Sequence, residues 1–221
     1  MTHRERILAA LQHKESDRVP LELGATESSG IMAIAYNRLK RRLGLAGRTQ
    51  IFDVMCMTAK VEPAILERVG SDAIALYNEP AGWKPWTLQD GSPAEIPRRA
   101  NLKRLETGEI VELADDGTVL TRCPPGGQYM DPAVWPLEKA ETIADIDAAT
   151  PLLSTFAWQT NCDETLDDLG RRARQLRDET SYAVVGNLCL HIFLASQLLR
   201  GFENFFTDLL VNKPLAHRML G

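Results

Sequence analysis

The four cysteines could support redox or metal chemistry, but their spacing argues against both. Cys56, Cys123, Cys162 and Cys189 stand far apart with no Cys-x-x-Cys pair, so neither a zinc ribbon nor a thioredoxin-like couple is spelled out. Thiols so placed, in a chain without a secretory signal, predict reduced cysteines in a cytoplasmic protein. Arg98, Arg99, Lys103 and Arg104 form a basic cluster that could meet a phosphate or an acidic partner domain, or be a solvated face. There is no Gly-x-x-x-x-Gly-Lys loop, no Gly-x-Gly-x-x-Gly turn and no Gly-x-Ser-x-Gly elbow. Nucleotide hydrolysis, dinucleotide binding and serine-hydrolase chemistry therefore lack support.

Composition narrows the partners further. The 221 residues are 44% hydrophobic and 25% charged, enough to bury a sizeable core as one large domain or two small ones. A net charge of −5 gives no basic face for nucleic acid, whose binding draws on counterion release. The apolar run from Leu188 to Leu199 is interrupted by His191, Ser196 and Gln197 and is shorter than the ~20 residues a spanning helix needs. It reads as a buried helix and not a membrane anchor.

The elements that would position any site follow from periodicity. Thr2 with Glu5 makes a capping box for a helix over 3–13, and Arg18–Gly24 reads as strand one. Ser28 or Ser29 caps a second helix, through Leu43 and stopped by Gly44. A third helix over 59–69 ends at Gly70, and Asp72–Tyr77 is a buried strand two. Residues 78–135, rich in proline, glycine and tryptophan, break the pattern. Within them Glu109–Leu113 and Thr118–Thr121 flank an Asp-Gly turn and predict a β-hairpin. Helix resumes at about Asp163, Tyr182–Asn187 is strand three, and 188–210 is helical around Arg200-Gly201. Asn212 and Pro214 then open another helix. Strand and helix in alternation predict an α/β fold with a parallel sheet covered by helices.

Three segments carry a resemblance. They are Arg4-Glu-Arg-Ile-Leu-Ala-Ala-Leu-x-His-Lys-Glu-x-Asp-Arg-Val-Pro20, the run Gly70-Ser-Asp-Ala-Ile-Ala-Leu76, and Leu199-Arg-Gly-Phe-Glu-Asn-Phe-x-x-Asp-Leu-x-x-Asn-Lys-Pro214. Together, in this order, they resemble the uroporphyrinogen decarboxylase family, which includes the haem-pathway decarboxylase and corrinoid-dependent methyltransferases. The resemblance implies a TIM (β/α)₈ barrel with its active site at the C-terminal ends of the strands. With three parallel strands in view, the chain is expected to be a partial barrel. Residues 1–221 would form the N-terminal part of one such domain, with a hairpin insertion at about 78–135 after the second strand. A partial barrel would leave an open edge, so self-association is expected.

Two departures point away from the decarboxylase. Its arginine-rich loop after strand one, which holds the substrate's carboxylates, is replaced here by Gly24-Ala-Thr-Glu-Ser-Ser-Gly30, which offers no cation. The aspartate it places after strand two corresponds to Glu79, the candidate catalytic carboxylate. The resemblance therefore favours the methyltransferase branch, moving a methyl group to or from a small acceptor. The alternatives are uroporphyrinogen decarboxylation and a catalytically inactive fragment needing its missing half. Zinc and a corrinoid carrier protein are implied for the complete protein. Cys189-x-His191 is the nearest analogue of the zinc ligands, and no metal is assigned to this chain. On the barrel reading, Gly24, Thr26 and Ser28 follow strand one and Asn187 follows strand three, where substrate groups are presented. Trp83, with Trp86, either walls the ligand or pins the loop. Gly24, Thr26, Asn187 and Trp83 are taken as the substrate-binding candidates, for a small-molecule substrate.

Overall fold

The computed structural model describes residues 1–155, 164–187 and 192–220. Its elements run α1 (His3–Leu11), α2 (Ala33–Arg42), β1 (Thr49–Asp53), β2 (Thr58–Ala59), α3 (Pro63–Val69), β3 (Ala73–Tyr77), β4 (Trp83–Thr87) and β5 (Pro93–Pro97). They continue as β6 (Leu102–Arg104), β7 (Ile110–Leu113), β8 (Val119–Cys123), β9 (Asp131–Pro132), α4 (Ile143–Thr155), α5 (Leu166–Glu179), β10 (Ala183–Asn187), α6 (Ile192–Arg200), α7 (Phe202–Val211) and α8 (Lys213–Leu220). The fold is mixed α/β, as expected. Among the described residues the strands form three sheets, ordered β2-β1-β5-β4, β10-β3 and β6-β7-β8-β9, and none closes into a barrel. No helix among them is long and apolar enough to cross a membrane.

By its contacts the chain divides into two compact units. The first takes in Met1–Asn101, Cys123–Met130 and the described part of Asn161–Leu188. Its centre is the parallel pair β3–β10, matched residue for residue from Ala73↔Ala183 to Tyr77↔Asn187. Both were read from the sequence as strands, the first as a mostly apolar run of the kind covered on both faces. Around them α2 and α3 build a core of Tyr36, Ala59, Val61, Ile65 and Leu66. The hairpin β4–β5 attaches to β1 through a parallel contact of β1 with β5.

The amino ends of β3 and β10 are held by charge. Asp72, fully buried just before β3, accepts from Arg18 Nη1 at 2.6 Å and Nη2 at 2.8 Å, from Arg6 Nη1 at 2.8 Å and from the Leu21 amide at 2.8 Å. His3 Nδ1 lies 2.9 Å away. Arg6 also grips Asp17. α1 starts with the expected capping box, Thr2 with Glu5. Its Arg4 donates to the carbonyls of Arg177, Thr180 and Tyr182, tying the helix to the start of β10.

Several expectations are corrected here. Arg18–Gly24 is not a strand. Pro20 has no N–H to give, and the Leu21 amide is taken by the Asp72 carboxylate, so the segment's one backbone-to-backbone bond to Asp72 is at Leu21, whose carbonyl accepts the Asp72 amide at 2.6 Å. The second helix begins at Ala33 with no side-chain cap, because Ser29 is engaged with Thr26. The third begins at Pro63 and ends, as read, in left-handed Gly70. The stretch 78–135 holds the expected hairpin, β7–β8 with its Asp-Gly turn, and two that were not anticipated, β4–β5 and β6–β7.

The second unit takes in Leu102–Arg122, Asp131–Thr160 and Cys189–Gly221, as far as these are described. Leu137, Ala140, Ile146 and Leu215 form its core. The break at Arg200-Gly201 is real, with Gly201 at φ 85°. Buried Arg200 spans it, bonding Asp208 at 2.8 Å and the carbonyls of Leu137 and Glu138. Asp208 is thus a structural anchor.

Although burial alone would raise the Asp72 carboxyl, the Leu21 amide, Arg18, His3 and Arg6 hold it at about 2 against an ordinary 3.8. A carboxylate depressed in the fold contributes stability above its unfolded value and loses it as pH falls through the folded one. Acid unfolding followed by circular dichroism is expected to lose roughly 2 kcal/mol between pH 4 and pH 2 from this group. Asp72→Asn, which leaves Arg18 without a carboxylate and Arg6 with Asp17 alone, is expected to cost about 3 kcal/mol at pH 7 and to flatten that acid limb.

Candidate functional site

At the opposite, carboxyl end of the parallel pair, charged side chains from three segments meet. β3 runs out at Tyr77, and the chain passes through Asn78 to Glu79. Lys60 arrives from the stretch between β2 and α3, and α5 supplies Arg172, with Glu164 just ahead of that helix. Glu79 Oε1 accepts from Lys60 Nζ and, at 3.4 Å, from Arg172 Nη2. Arg172 Nη1 donates to Glu164 and, at 2.9 Å, to the Tyr77 carbonyl, while the Glu79 amide donates to Glu164 at 2.8 Å. Lys60, Glu79, Arg172 and Glu164 thus form a chain of alternating charge that sums to zero.

This chain borders a cleft of about 220 Å³. Leu23, Val61, Leu66, Ile74 and Leu176 make its apolar walls, and Lys60, Glu79, Arg172 and Gln175 its polar groups. None of the four charged side chains is more than 28% exposed. Their attraction is therefore less screened than that of surface pairs, whose value is typically below ~1 kcal/mol.

The sequence-derived candidates separate into two groups. Glu79 and Gly24 line the same cleft. Gly24 takes φ +72°, and a Cβ there would drive into Val61. Its carbonyl accepts from the Tyr77 hydroxyl. Burial pushes that phenol upward from its ordinary range, so it stays a donor. Asn187 closes β10 in register with Tyr77, at the same end of the pair. Thr26 does not line the cleft: it bonds Ser29 through its amide at 3.1 Å and its hydroxyl at 2.9 Å, closing a tight loop. Trp83 does not line it either, sitting in β4 opposite Pro97.

Lys60, Arg172 and Glu164 escaped the sequence reading. Arg172 had a signal. It lies three residues after Leu169 and four before Leu176, on the apolar face of α5, where a charge needs a buried partner. Asn78 also stands out, because its Oδ1 is buried with no hydrogen-bond partner among the described residues, an uncommon state for a polar atom.

Among the described residues no three His, Cys, Asp or Glu side chains could hold a metal ion. The ligand set of a zinc enzyme is not present in them, and Cys189 and His191 lie outside the described residues. No family model, curated protein or solved structure matches the chain. The chain is a mixed α/β protein whose parallel strand pair ends in a charge-lined cleft.

Gly24→Ala adds a methyl against Val61 in a left-handed backbone. It is expected to lower stability by about 1–3 kcal/mol in denaturant titrations. Val61→Ala in the same chain should return only part of that loss, since the backbone strain stays.

Proposed function

We propose that this chain is a uroporphyrinogen decarboxylase-family protein of the corrinoid-dependent methyltransferase branch. On this reading β3 and β10 are neighbouring strands of the family's (β/α)₈ barrel, and the cleft at their carboxyl ends takes a small acceptor. A corrinoid carrier protein is the proposed partner. The observation that carries the choice of branch is the cleft itself: about 220 Å³, below the ~300–1,000 Å³ of pockets for drug-sized ligands, and far too small for a tetrapyrrole. The neighbouring loop agrees. Glu22 there accepts from the Ala25 amide and Thr26 pairs with Ser29, so the loop spends its polar groups on itself and has no arginine for a polycarboxylate. No step is routed through zinc, and Glu79 is the group proposed to touch the substrate.

Mixing the protein with methylcobalamin and a small thiol in zinc-containing buffer is expected to bleach the methylcobalamin absorbance. Glu79→Gln should slow this about tenfold, as loss of a charged hydrogen bond worth ~1.5 kcal/mol requires. Release of carbon dioxide from uroporphyrinogen, with methylcobalamin left intact, would overturn the assignment in favour of the decarboxylase.

Self-association is also proposed. Ile192 on α6 and Phe202, Leu210 and Val211 on α7 are 64–79% exposed, more apolar surface than a lone helix pair usually shows to water. Light scattering after size exclusion should give a mass above the 24.6 kDa of one chain. A monomer at high concentration would refute this.

A further inference from the structure

Among the described residues, the charged chain beside the cleft leaves hydrogen-bonding capacity of both signs unspent. Glu79 Oε1 accepts twice, from Lys60 and Arg172, while Glu79 Oε2 accepts from nothing among the described residues. Arg172 commits Nη1 to Tyr77 and Glu164 and Nη2 to Glu79; its Nε–H has no acceptor among them. Lys60 Nζ, with three donors, makes one hydrogen bond among the described residues. The weakest link is the 3.4 Å bond between Arg172 and Glu79, beyond the usual range for a charged pair.

We propose that the cleft binds a small zwitterion of the amino-acid kind: an ammonium and a carboxylate carried on a short apolar stem. Charge decides the class. A simple anion attracted by Arg172 and Lys60 also faces Glu79, and a simple cation meets the reverse conflict. A zwitterion presents each cluster with its opposite, the ammonium to Glu79 Oε2 and the carboxylate to Arg172 or Lys60, and enters at the long Arg172–Glu79 bond. Leu23, Val61, Leu66, Ile74 and Leu176 supply the apolar wall for the stem, and about 220 Å³ accommodates only a few carbons. This rests on the reading that the cleft is the chain's working site, and it names the substrate class.

Calorimetric titration with leucine, 4-methylpentanoate and 3-methylbutylamine tests it, since the last two are leucine without its amine and without its carboxylate. Leucine is expected to bind at least tenfold more tightly than either. Glu79→Gln should lower leucine affinity about tenfold and leave 4-methylpentanoate as weak as before or strengthen it. Arg172→Lys, which keeps the charge, should retain the order of the three ligands. Either singly charged probe matching leucine, or no leucine binding at millimolar concentration to folded protein, overturns the proposal. The titration needs no methyl donor. Leucine binding without methyl transfer therefore overturns the methyltransferase reading alone, and methyl transfer by a protein indifferent to leucine overturns this one alone.

Discussion

The Asp72 carboxylate is the constraint on which the first unit depends. It is fully buried, and a buried charge is tolerable only if its lone pairs are satisfied. Two arginines and a backbone amide do so, drawn from the stretch between α1 and the loop that leads to the cleft. Removing any one donor leaves charge in a dry place, so the positions of α1, of Arg18 and of Leu21 are settled together. The Asp72 carbonyl then takes the Ala183 amide, which carries the same constraint into β10. Arg200 does comparable service in the second unit, with Asp208 and two carbonyls as partners.

β3 therefore has two differently charged ends. Its amino end is closed: every ion there has a buried or hydrogen-bonded partner, and the pairs serve stability. Its carboxyl end borders an apolar hollow, with donors and acceptors that have no partner among the described residues. Barrel enzymes and open α/β sheets divide stability and chemistry between strand ends in the same sense. The three segments that carry the family resemblance belong largely to the first kind of feature. Arg6, Arg18 and Asp72 make one clamp, and Arg200 and Asp208 the other.

This explains what could be read in the chain beforehand. β3, β10, the capping box of α1, the Asp-Gly hairpin and the break at Gly201 depend on local rules of burial period, capping and turn chemistry, and each was legible. Strand one was misread because Val19, Leu21 and Leu23 alternate as a strand does, while the fate of the Leu21 amide is decided by a carboxylate 51 residues away. β1 and β2 are short, and β1 takes its parallel partner from β5, far along the chain, in the register Thr49↔Ala94. At the cleft, Glu79 and Gly24 were found through family correspondence. Lys60 and Glu164 carry no local mark, since their importance comes only from the fold that brings α5 to the end of β3.

Arg4 reaches across 178 positions to the carbonyl of Tyr182. A ribosome adding roughly 5–20 residues per second needs on the order of ten to forty seconds to deliver that acceptor. Until then the first helix is held at Asp72, at the start of β3, and the β10 side of its berth is missing. Hairpins such as β4–β5 are complete long before, so the earliest residues synthesised are among the last to find their place.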